Sequence, residues 1–302
     1  MPPKKNDVIN AVNTAILGKN YDPKTTEIAF FGGSFTAINR KYMEGLLKTA
    51  YAFVKKEMVK GIRISTRPDA IDDEILELLK SYGVTSIELG AQSMNDSVLQ
   101  MNNRGHTSED VVKASQLIKS YGFELGLQMM TGLYGDCDES AIETAKKIIE
   151  LEPDTIRIYP TIVLRDTDLE ALYKDGIYKQ QELEDAVTLA SKLYEMFWKA
   201  NIKVIRLGLH SLEENAYIAG PWHAAFSELC QSQIMLNVVL GRLLDRGSYI
   251  IYVSPSSVSK MVGQARKNIL YLKSLGFDCK VKTDESLNDW EFKIERCEVK
   301  CC

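Results

Sequence analysis

The chain has 302 residues, is 45% hydrophobic and 26% charged, and carries a formal net charge of −4. That is the balance of a soluble globular protein able to bury a full core, and it gives no general attraction to nucleic acid or an anionic membrane. No apolar run nears the roughly 20 residues of a membrane span, and the basic N-terminus leads into no apolar signal segment, so no membrane association and a cytoplasmic location are expected.

The spacing of Val8, Ile9, Val12 and Ile16 predicts a helix over 7–18. Ile28 to Phe31, closed by Gly32-Gly33-Ser34, reads as a buried strand ending in a tight turn. Met43, Leu46, Leu47, Ala50 and Val54 then place a helix over 39–54. Strands follow at 61–66, 84–89, 123–130, 155–159 and 202–207, alternating with helices at 71–82, 108–121, 139–151 and 181–200. Thr107 is a natural N-cap for the helix it precedes. Gly83 and Gly122 each close a helix in the left-handed C′ position, with a basic residue in the last turn. Regular alternation of strand and helix predicts a parallel sheet, with too few strands for a closed eight-stranded barrel.

Beyond Leu207 the rhythm changes. A helix is predicted over 222–245, a strand over 249–253, and a short helix over 258–262. Gly263-Gln264-Ala265-Arg266 comes next, then a helix over 267–275 and a strand over 278–282. The expected division is a partial barrel over 1–210 and a smaller α+β domain over 211–302.

In parallel α/β folds ligands bind at the C-terminal ends of the strands. Those ends carry Gly32-Gly33-Ser34, Ser65-Thr66-Arg67, Gly90-Ala91-Gln92-Ser93 and Tyr159-Pro160-Thr161-Ile162, and Gln128 lies inside the strand over 123–130. Hydroxyls and amides dominate and no paired carboxylates appear, which describes a ligand cradle without its own general acid and base. No Ser-His-Asp set is arguable, and no phosphate-loop lysine follows the glycines. Taken singly, Gln92 or Gln128 could equally satisfy loop backbone groups, Arg104 could be a solvated loop cation, and the glycine turn could serve a phosphorylated ligand.

These residues resemble those of radical S-adenosylmethionine (AdoMet) enzymes. The likeness is to bacterial and archaeal relatives of the radical AdoMet domain of the elongator catalytic subunit, and also to oxygen-independent coproporphyrinogen oxidases. It rests on Phe31-Gly32-Gly33-Ser34-Phe35, Ser65-Thr66-Arg67-Pro68-Asp69, Gly90-Ala91-Gln92-Ser93, Asn103-Arg104-Gly105-His106 and Gly220-Pro221-Trp222-His223. The resemblance implies an incomplete (β/α)6-type parallel barrel lacking its first strand. It implies that Gly32, Gly33 and Ser34 hold the methionyl amino group of AdoMet. Gln92 and Arg104 reach the ribose and the carboxylate, and Gln128 contacts the ribose. Backbone near Ile162 meets the adenine. Ser65 stands where many relatives carry a glutamate near the ribose.

The family also binds a [4Fe-4S] cluster through Cys-x3-Cys-x2-Cys on a loop upstream of the glycine turn. Here no cysteine precedes Cys137, so the expected ligands are missing and no metal ligand is assigned. The tail Cys297-Glu298-Val299-Lys300-Cys301-Cys302 lacks the third spacing. Two expectations follow: a fragment of a radical enzyme that cleaves AdoMet to a 5′-deoxyadenosyl radical, with tRNA or RNA modification its leading role, or a cluster-less AdoMet- or RNA-binding protein. No acetyltransferase-like segment is recognisable, so acetyl transfer is not expected.

Residues 248–282 resemble half of a KH module, in which a Gly-x-x-Gly loop between two helices clamps a nucleic-acid backbone. Here Arg266 replaces the last glycine. Lys260, Arg266, Lys267, Lys273, Lys280 and Lys282 face one acidic residue, Asp278, over 256–282. That segment is the expected contact for RNA or tRNA. His210, His223 and Cys230 read as structural or substrate-facing rather than as a zinc site, and Trp198 as core or interface.

Overall fold

The computed structural model describes residues 2–209 and 215–297. The chain forms two compact units, one of residues 1–159 with 197–205, the other of 160–196 with 206–302. The chain crosses between the units at 159/160, 196/197 and 205/206. The crossing at 159/160 carries no shift of composition, because the chain leaves the sheet there in mid-rhythm.

In the first unit, β1 (Glu27–Phe30), β2 (Gly61–Thr66), β3 (Val84–Gln92), β4 (Glu124–Thr131) and β5 (Thr155–Pro160) lie in that order. After β6 (Val163–Leu164) in the second unit, β7 (Lys203–Leu207) completes a sheet of order β1-β2-β3-β4-β5-β7. All six strands are parallel, in the expected partial barrel. The helix α1 (Lys5–Ile16) precedes β1, and α2 (Arg40–Val54), α3 (Asp73–Ser81), α4 (Asp96–Met101), α5 (Ser108–Ser120) and α6 (Asp138–Glu150) connect the strands. Local chemistry sets their ends. Asn39 accepts from the Tyr42 N–H and Asp72 from the Ile75 N–H. Thr107 and Asp110 form a reciprocal capping box. Gly83 and Gly122 are left-handed, at φ 69° and 79°. The helix α4 was not anticipated; its six residues are too few to show periodicity, and Asn95 caps it.

Successive strand side chains point to opposite faces. One face holds Ile62, Ile64, Ile87, Leu89, Leu125, Leu127, Met129, Ile156 and Ile158, all with no exposed surface. Helices α2, α3, α5 and α6 pack on these strands, supplying Leu46, Leu47, Leu76, Leu79, Ile118 and Ile148. The other face carries Glu27, Arg63, Ser65, Ser86, Glu88, Glu124, Gln128 and Arg157. The sheet curls around this polar face: Phe31, just past β1, stacks its ring 4.7 Å from the Arg157 guanidinium on β5.

The second unit contains β6 paired antiparallel with β8 (Tyr217–Ala219), followed by α7 (Asp168–Lys174), α8 (Leu183–Lys199), whose last residues belong to the first unit, and α9 (Phe226–Leu240). A three-stranded sheet of order β10-β9-β11 is built from β9 (Gly247–Val253), β10 (Phe277–Thr283) and β11 (Phe292–Arg296). The helices α10 (Val258–Val262) and α11 (Lys267–Ser274) connect β9 to its parallel neighbour β10. Its core joins Met235 and Val239 of α9 to Ile251, Val253, Met261 and Leu272. The antiparallel strand β11 was not anticipated, because its alternation is only five residues long. Trp198 is 65% exposed rather than core.

Leu127→Ala removes a side chain with no exposed surface from the sheet–helix core. It is expected to lower unfolding free energy by about 2–5 kcal/mol, read from the denaturant midpoint at unchanged slope.

Candidate ligand-binding site

The turn after β1 is open. Gly32 sits at φ 101°, and a Cβ at Gly32 or Gly33 would meet nothing within 4 Å. Backbone groups there are reachable by a ligand without side-chain screening. Thr36 anchors the turn: its hydroxyl lies 2.6 Å from the Thr66 hydroxyl at the end of β2 and donates to the Ala70 carbonyl at 2.6 Å. The turn borders a cavity of about 440 Å³, with Pro3, Phe30, Tyr42 and Leu46 among its walls. Ser65, Gln92, Arg104 and Gln128 do not line that cavity.

The ends of β2 and β3 carry the second group. Gln92 is buried in a left-handed conformation, φ 64°, and its amide packs against Gly90, where a Cβ would come within 2.7 Å of Nε2. The loop Asn103–His106 folds over these ends: the buried His106 ring reaches the Ala91 carbonyl at 3.1 Å. That fixes Arg104, whose half-buried guanidinium meets no carboxylate among the described residues. Burial, and then the charge of Arg67, push its pKa below the ordinary value. The neighbouring Arg67 is held by Asp69. Arg104 is thus a partly desolvated cation in want of an anion.

A third group lies on the polar face. The Gln128 amide donates to Ser65 Oγ at 3.2 Å and to Glu88 Oε2 at 3.1 Å. Glu88, with only 1% of its side chain exposed, accepts from Arg157 at 2.5 and 3.0 Å and from Arg63 at 3.4 Å. Arg63 also binds Glu27 at 2.9 Å and Glu124 at 2.7 Å. This ion network is not among the expectations drawn from the sequence, which concern the ends of the strands. Its signal was alternation: Arg63 and Ser65, Ser86 and Glu88, Glu124 and Gln128 sit at even spacing on successive strands.

Ile162 belongs to the second unit. Gly220, φ 112°, passes close over it, since a Cβ there would lie 3.0 Å from the Ile162 Cα. His223 Nδ1 accepts from the Ala225 N–H at 3.0 Å, and Cys230 is fully buried. His210, Cys301 and Cys302 lie outside the described residues.

The six basic residues of 256–282 do not share one face. On β10, Cys279 is buried in the core and Val281 packs against it, so Lys280 and Lys282 project from the opposite face of the sheet. Lys260 lies over the Trp290 ring and near Asp289, and Lys267 pairs with Glu184 at 3.2 Å. Arg266 projects from the inter-helix turn, where it and Ala265 are left-handed at φ 62° and 50°.

Burial raises the pKa of Glu27, but the Arg63 guanidinium, the Thr85 hydroxyl and the Lys60 ammonium outweigh it and hold the carboxyl below its ordinary 4.5. A depressed folded-state pKa contributes stability above the unfolded value that is lost as pH falls through the folded one. Stability is therefore expected to decline below about pH 4.5, and Glu27→Gln to flatten that acid limb, read from denaturant midpoints at stepped pH.

Comparison with known proteins matches residues 2–148 to the Radical SAM superfamily and 153–235 to the Radical SAM C-terminal domain. The chain is 31% identical over 197 residues to human elongator complex protein 3, covering 59% of this chain and 36% of that protein. It is 29% identical over 185 residues to the tRNA uridine(34) acetyltransferase of Methanocaldococcus jannaschii, covering 55% of this chain and 34% of the relative. The chain thus spans about a third of the length of these curated relatives. Among solved structures, archaeal Methanocaldococcus infernus Elp3 with an N-terminal deletion superposes with a TM-score of 0.67 at 23% identity, over 78% of this chain and 58% of that one. The motifs at the strand ends, the six-stranded parallel sheet and these two adjoining matches agree: the chain belongs to the radical SAM superfamily.

Proposed function

We propose that the first unit binds S-adenosylmethionine along the C-terminal ends of β1 to β4, as one part of a protein that modifies tRNA. The observation that carries this reading is Arg104: a half-buried guanidinium with no carboxylate partner among the described residues, on the same rim as the open Gly32-Gly33 turn. Guanidinium offers a carboxylate two parallel hydrogen bonds, so Arg104 takes the methionyl carboxylate. Carbonyls of the Gly32–Ser34 turn accept from the methionyl ammonium. Ser65 and Gln128 meet the ribose, and Gln92 closes the rim beside it. Bound there, AdoMet supplies a sulfonium centre activated for loss of a substituent. The tRNA role comes from relatives whose names carry it.

The family's [4Fe-4S] cluster does not fit the residues described. No three His, Cys, Asp or Glu side chains gather to hold a metal among them. Cys137 is exposed and Cys297 half-buried, both free, and burial pushes the Cys230 and Cys279 thiols up to about 12 and about 11. Binding of AdoMet is the activity assigned to these residues.

An RNA contact by the second unit is favoured by one observation. Two helices with an exposed Gly263–Arg266 turn join the parallel neighbours β9 and β10, and that turn holds Arg266 outward in a left-handed conformation. Such strain persists where the surrounding structure enforces it, often at binding sites.

Titration calorimetry with AdoMet is expected to give saturable one-site binding. Arg104→Ala should weaken it at least tenfold, an ion-paired hydrogen bond being worth roughly 1.5–3 kcal/mol, while the melting temperature holds or rises because a desolvated charge is removed. Arg266→Ala is expected to weaken binding of a single-stranded RNA about uniformly across sequences and to lower the salt slope by about one, measured by fluorescence anisotropy.

A further inference from the structure

The amide of Gln128 has a fixed sense, and the group that fixes it is not on the rim. Glu88 lies on β3 beneath the rim, with its carboxylate gripped in bidentate fashion by Arg157 and touched by Arg63. A carboxylate so bound can only accept. The side chain reaches across to β4 because its cross-strand neighbour is Gly126, where a Cβ would come within 2.6 Å of Glu88 Cγ. Past that gap Glu88 Oε2 stands 3.1 Å from Gln128, and the atom facing it must be the Nε2 donor. The second Nε2 proton goes to Ser65 Oγ at 3.2 Å. Both amide protons are therefore spent inward. Gln128 Oε1 is left to accept from a ligand, and the Ser65 hydroxyl, already accepting, keeps its own proton to donate.

We propose that Glu88 is a positioning residue that fixes the sense of the Gln128 amide, so that the rim presents an acceptor beside a donor and selects a ligand hydroxyl able to donate. The inference rests on the AdoMet reading for the identity of that hydroxyl, one of the ribose pair. It goes beyond that reading in assigning a selectivity to a buried side chain that no ligand touches. Substituting Glu88 by Gln puts a donor opposite Gln128, which lets the amide turn over and offer its NH2 to the ligand. A fluorine in place of the ribose hydroxyl accepts weakly and cannot donate. The wild-type site should reject it and the variant should tolerate it.

The test is calorimetric binding of AdoMet and of its 2′-deoxy-2′-fluoro and 3′-deoxy-3′-fluoro analogues to wild type and Glu88→Gln. One fluoro analogue is expected to bind wild type about tenfold more weakly than AdoMet, the loss of one hydrogen bond against a fixed acceptor. In Glu88→Gln that ratio should shrink to about twofold. A general loosening of the site would weaken all three ligands alike and keep the ratio, and an unchanged ratio overturns the proposal. The buried ion pairs of Glu88 make unfolding of the variant a real outcome, so a second measurement uses wild type alone. Side-chain amide exchange by 15N NMR, with the Gln128 signal assigned by its loss in Gln128→Leu, should show both Nε2 protons protected. Rapid exchange of either proton overturns the proposal whether or not AdoMet binds. If wild type binds no AdoMet while both protons are protected, the AdoMet reading fails and the positioning of Gln128 stands.

Discussion

A carboxylate with 1% of its side chain exposed constrains the polar face of the sheet. Taking Glu88 out of water costs several kcal/mol, repaid only if its oxygens are well filled. Arg157, Arg63 and Gln128 fill them, and they come from three different strands. The register of β2, β3, β4 and β5 is thereby tied to one charge. A one-residue slip of any strand would carry its contribution to the apolar face and strand a charge. Gly126 belongs to the same constraint, because any side chain there would occupy the path by which Glu88 reaches Gln128.

The network also divides the polar face into a saturated floor and an unsaturated rim. Glu27, Arg63, Glu88, Glu124 and Arg157 satisfy one another, and Phe31 covers the Arg157 guanidinium. Above them, among the described residues, groups still open to partners include the turn at Gly32–Gly33, the Arg104 guanidinium and the outer edges of Ser65 and Gln128. A charged floor that is complete in itself offers a ligand little ground for binding deeply. The AdoMet proposal therefore rests on the open groups at the strand ends, with the Arg104 guanidinium as the partner for an anionic end.

Local chemistry was legible in the sequence and long-range pairing was not. Gly83, Gly122, Thr107 and the Gly32-Gly33 turn carry their conformations in their own residue types, so the strand ends, and with them most of the candidate site, could be read off directly. Glu88 and Arg157 stand 69 residues apart, and neither residue type announces the other. Alternation within β2 to β5 was present but overshadowed by the apolar half of each strand. Strands of two and three residues, such as β6 and β8, exist only because each pairs with the other. The assignment of 160–196 to the second unit likewise follows from packing rather than composition.

The second unit shows why a charge count along a sequence is a poor measure of a surface. Lys280 and Lys282 alternate with the inward-packing Cys279 and Val281 and so project from the face of β10 opposite the helices. Lys267 is occupied by Glu184, and Lys260 by Asp289 and the Trp290 ring. What remains on the helical side is Arg266 at the turn and Lys273 one helix later. An extended phosphate backbone needs cations in a row at roughly its own repeat, whereas a single clamp needs only one cation beside open backbone. The Gly263–Arg266 turn has the second arrangement, which is why the proposed RNA contact is placed at that turn rather than along a basic face.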